Sequence, residues 1–197
     1  MHPFAQLSAV ASLHDRHYIH RDIKPSNFTV RFNDAGPSVF LIDFGLAQQF
    51  RNPATYLHTQ FTTQHPIVGT LPFTSINGQQ GHTQSRRDDL ESLIYTIIFF
   101  MCGNLPWSSD SIFRDHEAVL EKKTLIMAEE LCAGLPPLFS EFIIYVRSLS
   151  FDQKPDYKHL QTILLQCSEA DQRSEVPISA RALPFSAKRT RRLGARV

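Results

Sequence analysis

The segment from His20 to Gly45 leaves this chain few ways to fold. In HRDIKPSN (20–27), Pro25 and Ser26 break any helix, and Phe28-Thr29-Val30-Arg31-Phe32 then alternates toward a short strand. Asn33-Asp34-Ala35-Gly36-Pro37 is strong turn chemistry, and Val39-Phe40-Leu41-Ile42 is a second β-rich run. The two runs read as a hairpin ending at Asp43-Phe44-Gly45. Its open end should bring Asn27 and Asp43 side by side.

Those residue types in that order point to one chemistry. Phosphoryl transfer needs a carboxylate to accept or orient a hydroxyl proton, ligands for Mg²⁺, and cationic donors for charge on the transferring group. Asp22 offers the carboxylate, Lys24 the cation beside it, and Asn27 a neutral oxygen ligand. Sixteen residues after Asn27, Asp43 adds the carboxylate that a hard cation seeks. An isolated DFG or HRD says little, but the ordered set HRD–K–N–DFG with turn residues between is specific.

Around this core the pattern is helical. Phe4, Leu7, Val10, Ala11 and His14 recur at helical spacing, so the chain opens in an amphipathic helix. From Leu46 to Gly81 the sequence is polar and broken by prolines and glycines, as long functional loops are. Asp88 and Asp89 introduce a helix over Leu90–Cys102 that is apolar on nearly every face, which belongs in a core. Helical patterns follow at roughly 115–133, 138–149 and 156–168. Beyond about Glu169 the pattern fades into a stretch expected to be a flexible basic tail. The expected fold is mainly α with a small β-hairpin.

The bulk numbers are those of one ordinary globular domain: 197 residues, 42% hydrophobic and 20% charged. Six of the 20 basic residues fall in Arg181–Val197, which has no acid, so the other 14 face 19 acidic groups. Affinity for anionic partners should therefore sit in the tail, where a weak nucleic-acid contribution from Lys188–Arg192 is the less favoured reading. Cys102, Cys132 and Cys167 match no zinc spacing, and their odd number argues for reduced thiols. No secretory signal pattern opens the sequence, and the most apolar run, Leu93–Cys102, is about half the ~20 residues a bilayer span needs. An intracellular protein, cytoplasmic or nuclear, with no membrane partner is expected. His14, His17 and His20 run H-x₂-H-x₂-H, but no cysteine or acidic cluster completes a zinc site.

HRDIKPSNF, LIDFGLA, VGTLPFTSIN, SRRDDLESL, GNLPW and FDQKPDY resemble successive landmarks of the casein kinase 1 family of Ser/Thr protein kinases. Ser75-Ile76-Asn77 stands where other kinases have Ala-Pro-Glu, which narrows the resemblance to that family. The resemblance spans roughly residues 4–168 and implies a protein-kinase-like C-terminal lobe over 1–168, followed by the tail over 169–197. It implies ATP and Mg²⁺ as cofactors and proteins bearing Ser/Thr as substrates. By the same resemblance Asp22 would be the catalytic base, Lys24 the phosphate partner, and Asn27 and Asp43 the Mg²⁺ ligands. Thr70 would position Asp22 and Lys24, while Thr29 and Ile42 would line the nucleotide pocket. Asp89 would hold the backbone of the HRD loop, and Arg147 would be a structural ion-pair member.

The sequence departs from the family at several points. None of its eight glycines forms G-x-G-x-x-G, and there is no V-A-I-K-like run, so about half of a nucleotide pocket is not among these residues. Turnover by the 197 residues alone is expected to be negligible, which keeps a second reading open: a non-catalytic kinase-like interaction module. The first helix and the hairpin should leave apolar surface exposed where a small lobe would dock. Positions that are basic in the family fall at His65, Pro72 and Asp115, so a preference for phosphate-primed substrates does not carry over. Thr29 replaces a leucine of the pocket floor, and Ile94 a glycine of the buried helix.

Overall fold

The computed structural model describes residues 3–34, 36–108 and 115–172. Helix α1 (Pro3–Asp15) buries Gln6, Leu7, Val10 and His14, whose spacings of three, four and seven or eight residues place them on one helical face. It ends in a turn that leaves His17 in the left-handed region at φ 70°. Strand β1 (Tyr18–Ile19) follows and carries the chain into the HRD loop.

The hairpin expected from the sequence is present, with strands β2 (Phe28–Asn33) and β3 (Gly36–Leu41). The register pairs Phe28 with Leu41, Thr29 with Phe40 and Asn33 with Gly36, so β3 starts three residues before the apolar run. Pro37 is tolerated in β3 because this two-stranded sheet leaves it an unpaired outer edge. Phe28 and Leu41 point into the core, and period-two alternation turns Thr29, Phe40 and Ile42 outward. Phe40 and Ile42 are exposed, so the outer face of the hairpin carries apolar side chains.

Past the DFG turn the chain forms β4 (Gln48–Gln49), which pairs antiparallel with β1. This second small sheet has no sequence signature: Gln-Gln is a poor strand former, and the pairing is imposed by tertiary position. The stretch to residue 75 is irregular apart from an Arg51–His58 bridge, and helix α2 (Ile76–Gln79) closes it.

Helix α3 (Arg86–Cys102) is the axis of the fold. It starts earlier than Leu90 because Asp88 Oδ2 accepts the Ser85 N–H at 2.7 Å, the backward half of a capping box. Leu90, Leu93, Ile94, Tyr95, Ile97 and Ile98 are buried, which accounts for a helix apolar all round. Gly103, at φ 82°, ends it with its N–H on the Phe99 carbonyl. The expected 115–133 helix is two, α4 (His116–Leu125) and α5 (Ala128–Leu131), split where extended Ile126 turns into the core.

Helices α6 (Leu138–Ser148) and α7 (Tyr157–Gln172) complete the lobe. Helix α1 packs on α3 and α7, and α6 packs on α3, α5 and α7. Ile94 is fully buried in this core. Cys102, Cys132 and Cys167 are buried free thiols, each pushed up chiefly by desolvation, to about 11, 12 and 12. Among the described residues no helix is long and apolar enough to cross a membrane. Helix α7 runs four residues past the expected start of the tail, and the basic run Arg181–Val197 lies outside the described residues.

Candidate active site

The loop between β1 and β2 is held by the start of α3. Asp89, 1% exposed, accepts the His20 N–H on Oδ2 at 2.6 Å and the Arg21 N–H on Oδ1 at 2.9 Å. His14 Nε2 lies 3.0 Å from Oδ2, and its Nδ1 lies 2.6 Å from the Tyr157 hydroxyl. These bonds clamp Arg21 at φ 66°, a left-handed backbone that side chains other than glycine's rarely adopt. The Arg21 side chain adds a bond from Nε to the Leu46 carbonyl at 2.7 Å.

His20 ties the loop to the end of the hairpin. Its Nε2 is 3.0 Å from the Ile42 carbonyl, which only an N–H can satisfy, so the neutral ring's Nδ1 is left to accept the Asp22 N–H at 3.3 Å. Gly69 seals the other side. At φ 96° it brings its backbone so near the loop that an added Cβ would stand 2.6 Å from the Arg21 carbonyl oxygen.

Within this frame Asp22, Lys24 and Thr70 form a closed triangle. Lys24 Nζ is 2.7 Å from Asp22 Oδ2 and donates to Thr70 Oγ1 at 2.9 Å, and Thr70 Oγ1 donates to Asp22 Oδ1 at 2.7 Å. Asn27 Nδ2 donates to the Asp22 carbonyl at 2.9 Å and to Oδ2 at 3.3 Å. Burial pulls the Asp22 carboxyl upward. The Lys24 and Thr70 hydrogen bonds, the Lys24 charge and the Asn27 bond outweigh it and hold the group below its ordinary value. An ionised carboxylate offers about four acceptor positions, and three donors occupy this one, so one position is open to a hydroxyl.

Asn27 and Asp43 come to adjoining backbone positions where the register predicts. The Ile42 N–H donates to the Asn27 carbonyl at 2.9 Å, which places both residues at the open end of the hairpin. Asp43 sits at φ 63°, exposed, and accepts the Gly45 N–H at 3.3 Å. With its amide hydrogens turned to Asp22, Asn27 has its oxygen on the opposite side of a planar group. One amide oxygen and one carboxylate make a hard donor set without nitrogen or sulfur, which fits Mg²⁺. Among the described residues no group of three His, Cys, Asp or Glu could hold a metal by itself. A cation here would draw its remaining ligands from phosphate and water.

Comparison with protein-family profiles matches the protein kinase domain over residues 4–173. The chain belongs to the protein kinase family. It is 42% identical over 158 residues to a probable casein kinase I homolog of Encephalitozoon cuniculi, covering 79% of this chain and 51% of the relative. It is 37% identical over 174 residues to casein kinase I homolog 3 of Schizosaccharomyces pombe, covering 84% of this chain and 40% of that protein. The chain thus spans about half or less of the length of these curated relatives, and within the family it is casein kinase 1-like. Protein kinases in general use ATP with Mg²⁺ and act on proteins.

The kinase lobe brings Asp22, Lys24, Asn27 and Thr70 into one hydrogen-bonded cluster with Asp43 beside it. Thr29 and Ile42 are exposed on the outer face of the hairpin. Arg147 is a partner of α3: its Nε lies 3.5 Å from Glu91 Oε1, and Nη2 donates to the Tyr95 hydroxyl at 3.0 Å and the Lys123 carbonyl at 3.1 Å. The kinase positions lacking a basic residue have structural uses here. Asp115 caps α4 by accepting the Glu117 and Ala118 N–H groups at 3.1 Å. Pro72 is buried, and its carbonyl accepts Trp107 Nε1 at 2.8 Å.

Sequence reasoning missed Lys123. This fully buried lysine donates to the Leu71 carbonyl at 2.8 Å, the Thr74 carbonyl at 2.6 Å and Gln79 Oε1 at 3.0 Å. It thereby fixes the segment that follows Thr70. Two adjacent lysines on an otherwise polar helix read as a solvated face, and nothing in their spacing marks one as buried.

Proposed function

We propose that this chain is the catalytic lobe of a casein kinase 1-type Ser/Thr protein kinase, which transfers the ATP γ-phosphate to protein hydroxyls. The closed Asp22–Lys24–Thr70 triangle carries this reading, because it leaves a carboxylate with one free acceptor position beside a cation. In the proposed mechanism Asp22 accepts the hydrogen of the substrate hydroxyl and aims its oxygen. Thr70 and Asn27 keep the carboxylate from rotating, and Lys24 turns its third hydrogen to the transferring group. Asn27 and Asp43 would hold Mg²⁺ on the phosphates, and the bound metal supplies charge neutralisation there. Thr29 and Ile42 would meet the nucleotide base only beneath a covering lobe, and the apolar outer face of the hairpin suits such a docking. The lobe is proposed to end near residue 168, with the basic tail separate and the protein intracellular.

The test is radiolabel transfer from ATP to a protein substrate by a chimera with a casein kinase 1 small lobe fused ahead of residue 1. Because positioning and electrostatics are most of what a kinase contributes, the 197 residues alone should turn over negligibly while the chimera is active. Asp22→Asn should lower that activity by at least ~10²-fold, since the amide cannot take the hydroxyl proton, and Asp43→Asn should do likewise through the metal. A chimera that folds and binds ATP yet stays silent would favour the non-catalytic module. Activity surviving Asp22→Asn would remove the assigned base.

A further inference from the structure

Beside the catalytic triangle lies a pocket of about 390 Å³ whose walls include Lys24, Pro25, Thr70, Pro72, Phe73 and Phe99. That volume is within the ~300–1,000 Å³ typical of ligand sites. Lys24 and Thr70 belong both to this wall and to the triangle around Asp22. Whatever fills the pocket therefore lies within a side chain's reach of the atom that accepts the substrate hydroxyl. At ~3.3–3.6 Å per extended residue, a polypeptide with its Ser or Thr on Asp22 must bring a residue within about three positions of the acceptor to the pocket.

The chemistry of the wall selects that residue. Two prolines and two phenyl rings form half of the described lining, and Phe73 and Phe99 meet edge to face at 5.6 Å and 81°. The other described lining residues besides Lys24 and Thr70, Ser26 and Ser108, are uncharged. Among the described residues Lys24 is the only charged group in the lining, and Asp22 and Thr70 already engage two of its three hydrogens at 2.7 and 2.9 Å. A carboxylate or phosphate entering here would lose water and, among the described residues, would find only the Lys24 hydrogen that the proposed mechanism turns to the transferring group. An apolar side chain would gain roughly 25 cal/mol for each Å² it buries.

The wall is also preformed. The Pro72 carbonyl is held by Trp107, the Phe73 N–H donates to the Thr70 carbonyl at 2.8 Å, and Lys123 pins the carbonyls of Leu71 and Thr74. Little ordering is left to be done on binding.

We propose that this pocket is a substrate subsite that takes one apolar side chain, such as Leu, Met or Phe, within about three residues of the phosphoacceptor. The inference rests on the kinase reading above and names its substrate class: Ser/Thr flanked by an apolar residue, in place of an acidic or phosphorylated one. The test uses the small-lobe chimera on an array of Ser peptides in which each flanking position is in turn Leu, Phe, Asp, phosphoserine or Gly. A companion assay measures binding of the Leu and Asp peptides to the 197-residue chain. At one flanking position the Leu and Phe peptides should exceed the Asp and phosphoserine peptides by about tenfold in kcat/KM, through KM. Phe99→Lys should raise KM for the Leu peptide and favour the Asp peptide at that same position, while Phe99→Leu keeps the apolar preference.

An active chimera that prefers Asp or phosphoserine at every position, or is indifferent, overturns the subsite and leaves the kinase reading standing. A silent chimera whose lobe still binds the Leu peptide over the Asp peptide, with the order reversed by Phe99→Lys, retains the subsite and overturns the activity. A silent chimera with no such discrimination in binding overturns both.

Discussion

Replacing Asp89 with alanine should unfasten the catalytic loop and much of the stability with it. Both carboxylate oxygens are engaged, and truncation leaves the His20 and Arg21 N–H groups without acceptors, in a loop whose His20 is fully buried. A buried donor left unsatisfied costs ~1–3 kcal/mol, so the two together predict a loss of roughly 2–6 kcal/mol. Relaxation of Arg21 from its left-handed backbone returns ~1–2 kcal/mol, at the expense of moving Asp22 away from Thr70. Net losses near 3 kcal/mol are large against the ~5–15 kcal/mol of a typical domain.

Urea unfolding followed by the fluorescence of Trp107, the chain's one tryptophan and a fully buried one, measures this directly. With an m-value of ~2 kcal/mol/M, the midpoint should fall by about 1.5 M. Asp89→Asn, which keeps one acceptor oxygen, should lose less. Amide exchange at His20 and Arg21 should quicken in both variants. An alanine variant with an unchanged midpoint and slow exchange at those two amides would refute the clamp.

Two further outcomes concern titration. Desolvation pushes buried Asp88 up to about 6, with Glu91 adding to it and Ser75, Ser85 and Arg87 opposing. The folded chain then binds more protons than the unfolded one between about pH 4 and 6, so stability should fall by ~3 kcal/mol as pH rises through that window. Asp88→Asn should flatten this slope in thermal midpoints taken from pH 4 to 7, and an unaltered slope would show that Asp88 does not titrate there. Lys123 is pushed down to about 7 by desolvation, with Glu91 opposing and Arg147 assisting. The unfolded chain binds the extra proton from about pH 7 to 10.5, so this group makes stability rise with pH in that range. Lys123→Met should abolish that rise and, by stranding three oxygens, destabilise by ~3–5 kcal/mol. Retention of the rise would locate it in another group.

The sequence was most legible where local chemistry decides. Pro25, the Asn33–Pro37 turn and the apolar runs beside it dictate the hairpin whatever surrounds them, and the hairpin in turn places Asn27 near Asp43. The apolar circumference of Leu90–Ile98 similarly told of a central helix, although its start at Ser85–Asp88 required reading Ser-x-x-Asp as a cap. What stayed hidden depends on long-range contact. The Gln48–Gln49 pairing with Tyr18–Ile19, the burial of Lys123 beneath Leu71 and Thr74, and the convergence of Pro72 with Phe99 join residues that no local pattern relates. Thr29 and Ile42 carry the opposite lesson. Their positions follow from the register, but the enclosure expected of them depends on contacts beyond the hairpin.

The three sequestered thiols give this fold a chemical clock. With their thiolate forms suppressed by burial, Cys102, Cys132 and Cys167 should be nearly inert toward alkylating agents and peroxide in the native chain. Labelling can then proceed only as fast as the core opens, so its rate counts openings. The same arrangement makes opening hazardous in air. An unfolded molecule exposes three ordinary thiols at once, any two of which can close a bridge that the folded lobe does not contain. Refolding yield should therefore depend on the redox buffer, even though the folded kinase lobe contains no disulfide among its described residues.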